Sequence, residues 1–99
     1  MKKFLSKCGY AAYQCTPAEC VAATNGLGVC DFCTTLPKQT NPMYIVPVLN
    51  GAMCEHCFKD WEQRAVCYDE DLEFEKQAIA YIDEIIKKHN IKLEEINVK

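Results

Sequence analysis

Two Cys-x2-Cys turns, Cys30 to Cys33 and Cys54 to Cys57, stand twenty residues apart, and this spacing constrains the chain more than any other feature. A Cys-x2-Cys turn presents two sulfurs to one ion while its backbone amides donate to them, and two such turns complete the tetrahedron that zinc prefers. The residues between them contain Asn50-Gly51, a strong hairpin signal because both tolerate positive φ. The expectation is one Zn2+ held by Cys30, Cys33, Cys54 and Cys57.

The metal reading depends on reduced thiols, and the rest of the sequence is compatible with them. Lys7 and Cys8 interrupt the N-terminus before any apolar run develops, so no signal-peptide core is formed. No stretch approaches the roughly 20 apolar residues that cross a bilayer. A soluble, cytoplasmic protein without membrane contact is expected, and there short-spaced cysteines are metal ligands more naturally than disulfides. The 99 residues, eight of them cysteine, give one domain with a modest core that a metal ion would staple.

Thr16-Pro17-Ala18-Glu19 reads as a helix start, with Thr16 as N-cap and Glu19 completing a capping box. A short helix should run through Ala23 and stop at a left-handed cap at Asn25-Gly26. Gly28 to Cys33 is read as a short strand entering the first cysteine turn. Met43 to Leu49 is read as a strand of a hairpin that turns at Asn50-Gly51, with Pro47 implying an edge strand or a bulge. The second cysteine pair then opens a helix whose Phe58, Trp61 and Ala65 share a face. From about 70 to 89 the stripe Phe74, Ala78, Ile82, Ile85 and His89, with Ile79 and Ile86 beside it, predicts a long amphipathic helix ending at Asn90. Residues 91 to 98 read as either a terminal strand or a frayed tail.

A cysteine turn, a β-hairpin, and a cysteine pair on the first turn of a helix resemble the treble-clef family of zinc folds, over about residues 28 to 66. The segment Tyr44 to Gly51, followed by Cys-x2-Cys-Phe-x2-Trp, is similar to small uncharacterised zinc proteins of bacterial phages and mobile elements. The resemblance implies a zinc core at about 28–66; with the short N-terminal helix and the long C-terminal helix at about 70–89 read above, the expectation is one α+β domain over 1–99.

Cys8, Cys15, Cys20 and Cys67 admit three readings: a second zinc site if Cys67 folds back onto the N-terminal segment, a disulfide, or packing of Cys15 against Cys20 as small apolar side chains. Packing leads, because their spacings form no ligand pair. His56, between two cysteines on a tight turn, is expected to point outward, and His89 to cap its helix.

Catalysis is not expected. Four thiolates leave no open coordination position for a metal hydrolase, and no Ser-His-Asp set, phosphate loop or His-Glu-x2-His occurs. A dithiol oxidoreductase using Cys54 and Cys57 is the enzymatic alternative, although no βαβ unit leads into the motif.

Charge is uneven: residues 1 to 53 carry four basic and two acidic groups, residues 54 to 99 seven and twelve. Glu62, Asp69, Glu70, Asp71, Glu73 and Glu75 gather at the junction of the two later helices. Such a run is ordinarily a solvated helix start; as a functional surface it would dock a protein with a basic surface, as an adaptor or an inhibitor of a nuclease such as a CRISPR effector does. Nucleic acid is not favoured, since Lys2, Lys3 and Lys7 make only a thin basic tip, to which a nucleic-acid module would add Lys38 as a phosphate contact. A nucleic-acid-binding zinc module is the other alternative.

Overall fold

In the computed structural model, which describes residues 1–24, 26, 28–38 and 40–96, one five-stranded sheet organises the chain. β1 (Lys2–Leu5) and β2 (Ala11–Cys15) are antiparallel, with Lys3 opposite Tyr13 and Phe4 opposite Ala12. β3 (Met43–Val46) adds to β2 with Ile45 opposite Tyr13, and β4 (Gly51–Cys54) closes the hairpin. β5 (Glu94–Ile96) returns parallel to β1, giving the order β4-β3-β2-β1-β5.

Successive side chains of a strand point to opposite faces, so each strand feeds two cores. Tyr13, Cys15, Met43, Ile45 and Ala52 meet Cys20 and Ala23 of α1 (Pro17–Thr24) and Ile82 and Ile86 of α3 (Leu72–Lys88). Ala12, Tyr44, Val46 and Met53 meet Phe58 of α2 (Glu55–Arg64) on the other face, with Phe4, Trp61 and the thiols of Cys54 and Cys57 beside them. The result is an α+β fold with helices on both faces of the sheet. The metal-binding cysteines therefore extend one apolar cluster and do not stand in for a missing core.

The capping box forms: Thr16 Oγ1 accepts the Glu19 amide at 3.1 Å and Glu19 Oε1 accepts the Thr16 amide at 2.9 Å. The expected cap at Asn25 lies outside the described residues, as do Asn97 and Val98.

Two strands are additions to the sequence reading, and three expectations are corrected. β1 and β2 have no counterpart in the sequence reading, because a short, half-charged segment such as Lys2–Leu5 becomes a strand through its partners and not through its own propensity. β3 ends at Val46, and Pro47–Leu49 form a single 3-10 turn, so the connection has four residues and Val46 pairs with Gly51. Pro47 thus sits outside the ladder and β3 lies inside the sheet. Residues 28 to 33 are bends and turns, not a strand. The long helix begins at Leu72, after a 3-10 turn of Asp69–Asp71, and its buried positions are Glu75, Ile82 and Ile86. Phe74 is 52% exposed, a shift of one residue or about 100° around the helix from the expected stripe. Asn90, at φ 57°, ends it as expected, its amide bonded to the Lys87 carbonyl at 3.1 Å.

Candidate metal centre

The first cysteine turn is seated by Asp31. Its amide donates to the Ala52 carbonyl at 2.9 Å, and its carboxylate accepts the Ala52 amide at 2.8 Å, so the turn docks along the outer edge of β4. Gly51 makes this approach feasible: a Cβ there would lie 3.0 Å from Asp31 Oδ2. Asn50, at φ 53°, supplies the left-handed residue of the hairpin. Beyond the turn, Thr34 adopts φ 60° and donates its amide to the Cys30 carbonyl at 2.9 Å. A left-handed conformation costs a residue other than glycine roughly 1–2 kcal/mol, and here the loop closure around the cysteines holds it.

The second pair is set by α2. Cys54, extended at φ −73° and ψ 170°, is the N-cap residue of the helix, and Cys57 lies in its first turn. The unpaired amides and the dipole of a helix start favour thiolate at this place.

The four sulfurs converge. All lie within 4.8 Å of one another, and Cys33 Sγ is 3.8 Å from Cys54 Sγ. A regular tetrahedron with Zn–S bonds of about 2.3 Å has S···S edges of about 3.8 Å. The amide of Cys33 points at Cys30 Sγ at 3.5 Å, the amide-to-sulfur contact of a zinc knuckle. Cys30 is 1% exposed, whereas Cys33 is open to solvent.

Electrostatics makes the same point. Hydrogen bonds from the Thr35 side chain and backbone lower the Cys33 pKa to about 6. Burial pushes the Cys57 thiol up, and so do Cys33, Cys30 and Cys54 around it; burial also raises Cys54. Sulfurs this close resist joint ionisation unless a cation shares their charge. The residues fit one Zn2+, bound by four thiolates in a closed, structural site.

His56 is exposed and outside the cluster, and His89 is the exposed C-cap residue of α3. Cys8, Cys15, Cys20 and Cys67 are not brought together, because β2 separates them. Cys15, at its end, shares a buried core cluster with Cys20, and its thiol donates to the Met43 carbonyl at 3.7 Å. Cys8 lies in the turn before β2, near Cys67, which packs on Gly9. Among the described residues no second group of three or more ligand side chains converges.

The acidic set also divides. Glu75, expected on the surface, is 7% exposed and accepts the Ala11 amide at 2.7 Å. Glu62 accepts the Lys7 amide at 2.8 Å, and Asp71 the Tyr10 hydroxyl at 2.7 Å. Asp69, Glu70 and Glu73 remain exposed. Lys3 is withdrawn from the basic tip by an ion pair with Asp83 at 2.9 Å, leaving Lys2, Lys7 and Lys38 exposed. No described helix is long and apolar enough to cross a membrane.

The sequence reading missed Asp31 and Thr35. Both are polar residues within two positions of a ligand cysteine, where hydrogen bonds to the loop or to sulfur are to be sought. Searches of protein-family models, of curated proteins and of solved structures return no match to this chain.

Proposed function

We propose that this chain is a non-enzymatic structural-zinc protein of the treble-clef kind that acts through its surface, as an adaptor or inhibitor of another protein. The observation that carries the reading is the convergence of four cysteine sulfurs, all within 4.8 Å of one another and 3.8 Å apart for Cys33 and Cys54. Supporting it is the order of parts: a cysteine turn at 30–33, the β3–β4 hairpin, then a helix that starts on the second cysteine pair. Four thiolates fill the coordination sphere of zinc and leave no position for a substrate or an activated water. The free energy of binding then becomes free energy of folding.

Native mass spectrometry of the protein purified with zinc tests this. One zinc per chain is expected, lost in Cys30→Ser and in Cys57→Ser. A metal-free, folded chain carrying a reducible Cys54–Cys57 disulfide would overturn the reading in favour of dithiol exchange.

A further inference from the structure

The eight free cysteines fall into three groups with different chemistry. Four converge on the metal site. Cys15 and Cys20, 5% and 2% exposed, are core side chains, and buried cysteines of this kind are inert. Cys8 and Cys67 are both half-buried and belong to neither group.

These two come from distant parts of the chain to one place. Cys8 sits in the turn that joins β1 to β2. Two backbone bonds close that turn, from the Ser6 amide to the Tyr10 carbonyl at 2.8 Å and from the Gly9 amide to the Ser6 carbonyl at 3.0 Å. Cys67 sits in the connection from α2 to α3, where the Tyr10 hydroxyl accepts the Tyr68 amide at 3.1 Å and lies 3.2 Å from the Val66 carbonyl. The residues on both sides of Cys67 are thus tied to the residue two positions after Cys8. Gly9 completes the approach. It adopts φ 104°, a conformation that suits glycine alone, and a Cβ there would stand 3.2 Å from Cys67 Cβ and 3.5 Å from Cys67 Sγ. Disulfide partners keep their Cβ atoms about 3.5–4.5 Å apart, a separation that the turn already reaches at Gly9, one residue from Cys8. The Cys8 sulfur itself rests 3.1 Å from Ser6 Oγ.

We infer that Cys8 and Cys67 are a reversible oxidation site, at which a peroxide converts the two thiols to an intrachain disulfide that clips the β1–β2 turn to the α2–α3 connection. Rotation of the Cys8 side chain off Ser6 turns its sulfur toward Cys67. Burial, Glu75 and Cys8 raise the Cys67 pKa and keep it a thiol, which leaves Cys8 to react first. The Cys8 thiolate attacks one peroxide oxygen and expels hydroxide, forming a sulfenic acid. The Cys67 sulfur then attacks Cys8 Sγ, the S–O bond breaks, and the Cys67 proton leaves with the hydroxyl group as water. Two thiols and one peroxide thus give one disulfide and two waters, and a reducing thiol reverses the change. The inference goes beyond the zinc reading and does not depend on it.

The test is exposure of the zinc-loaded full chain to a small excess of hydrogen peroxide, followed by iodoacetamide, non-reducing peptide mapping and native mass spectrometry. Expected is a Cys8–Cys67 cross-linked peptide from a monomer that has lost two hydrogens and kept its zinc, with the starting mass restored by dithiothreitol. The cross-link closes a loop of about 60 residues, so the melting temperature should rise by about 10 °C on oxidation of the parent. No rise is expected in Cys8→Ser or Cys67→Ser, and the mapping, done on the parent, decides the matter even where a variant folds poorly. A sulfinic acid at Cys8 with Cys67 still open to alkylation, or a disulfide between two chains, would overturn the assignment. So would oxidation among the four metal-binding cysteines ahead of this pair. The two proposals fail separately: zinc-free protein that still forms the Cys8–Cys67 bond refutes the metal reading alone, and one-zinc protein that never forms it refutes the oxidation site alone.

Discussion

Phe58 and Phe74 each open a helical apolar stripe in the sequence, yet only Phe58 is buried, and replacing each by alanine separates the two environments. Phe58 is 3% exposed and lies parallel to Tyr44 at 4.2 Å and 4°. It also meets Phe4 edge-on at 6.0 Å and Trp61 at 5.9 Å. A buried Phe→Ala change costs about 3–5 kcal/mol, and aromatic pairs add about 0.5–1.5 kcal/mol each beyond their area, so the upper half of that range is expected. At about 0.05–0.15 kcal/mol per residue the whole domain holds only about 5–15 kcal/mol. At about 4–8 °C per kcal/mol for a domain of this size, Phe58→Ala should lower the melting temperature by at least 15 °C or so. Phe58 follows Cys57 directly, so the variant should also lose zinc at a lower chelator concentration. Phe74→Ala, at a site 52% exposed, should stay within about 0.5 kcal/mol of the parent. Urea unfolding of zinc-loaded protein, followed by far-ultraviolet circular dichroism and by the fluorescence of Trp61, measures both. A Phe58→Ala loss below about 1 kcal/mol, or an equal loss for Phe74→Ala, would refute this account of the α2 face.

Burial raises the Glu75 carboxyl above its ordinary range and Asp71 adds to the shift, while the Ala11 amide opposes it. A raised folded-state pKa means that the native chain holds the proton more tightly than the unfolded one. This contribution to stability is complete below the ordinary carboxylate range and is lost as pH rises through the folded value. Glu75→Gln keeps an acceptor for Ala11 and has no charge to bury, so its stability relative to the parent should grow from pH 5 to pH 7.5; a difference that shrinks over that range would contradict the assignment. Thr16→Ala should cost about 1 kcal/mol in urea unfolding by opening the capping box, and an unchanged midpoint would mean that α1 is held by packing alone. In zinc-loaded protein, iodoacetamide should reach the half-buried Cys8 and Cys67 first and spare the core residues Cys15 and Cys20. Exposed Cys33 should react only after chelation, and equal labelling of Cys33 with and without chelator would argue against its role as a ligand.

What could be read from the sequence is what depends on residues close in the chain. The capping box at Thr16 and Glu19, the left-handed residue at Asn50, the start of α2 on Cys54 and the stop at Asn90 are each decided within a few positions. The four metal-binding cysteines were legible because the coordination chemistry of zinc fixes the spacing of its ligands. β1 and β2 were not, since their stability comes from Tyr13 meeting Ile45 and Lys3 meeting Asp83, pairs separated by 32 and 80 residues. The phase of α3 was misjudged for a related reason. Phe74 is the more apolar residue, but the neighbouring position faces the Ala11 amide, and a carboxylate that accepts it settles there more readily than an aromatic ring.

Gly51 shows how a correct signal can have a different cause. Asn-Gly marks the hairpin as expected, yet Gly51 is the first residue of β4, not the second residue of a tight turn, and its missing side chain admits the carboxylate of Asp31. That carboxylate and the Asp31 amide occupy both hydrogen-bonding groups of Ala52 on the outer edge of β4. Exposed strand edges invite pairing with other chains, and covering them is a common defence. Of the four cysteines, two belong to the turn that covers this edge, and two to the end of β4 and the start of α2. One ion bound by all four therefore clamps the edge cover to the sheet and to the helix packed on its face. The apolar clusters hold the two faces of the sheet, one of them takes in Cys30 of the edge turn, and the zinc site adds a clamp at that edge.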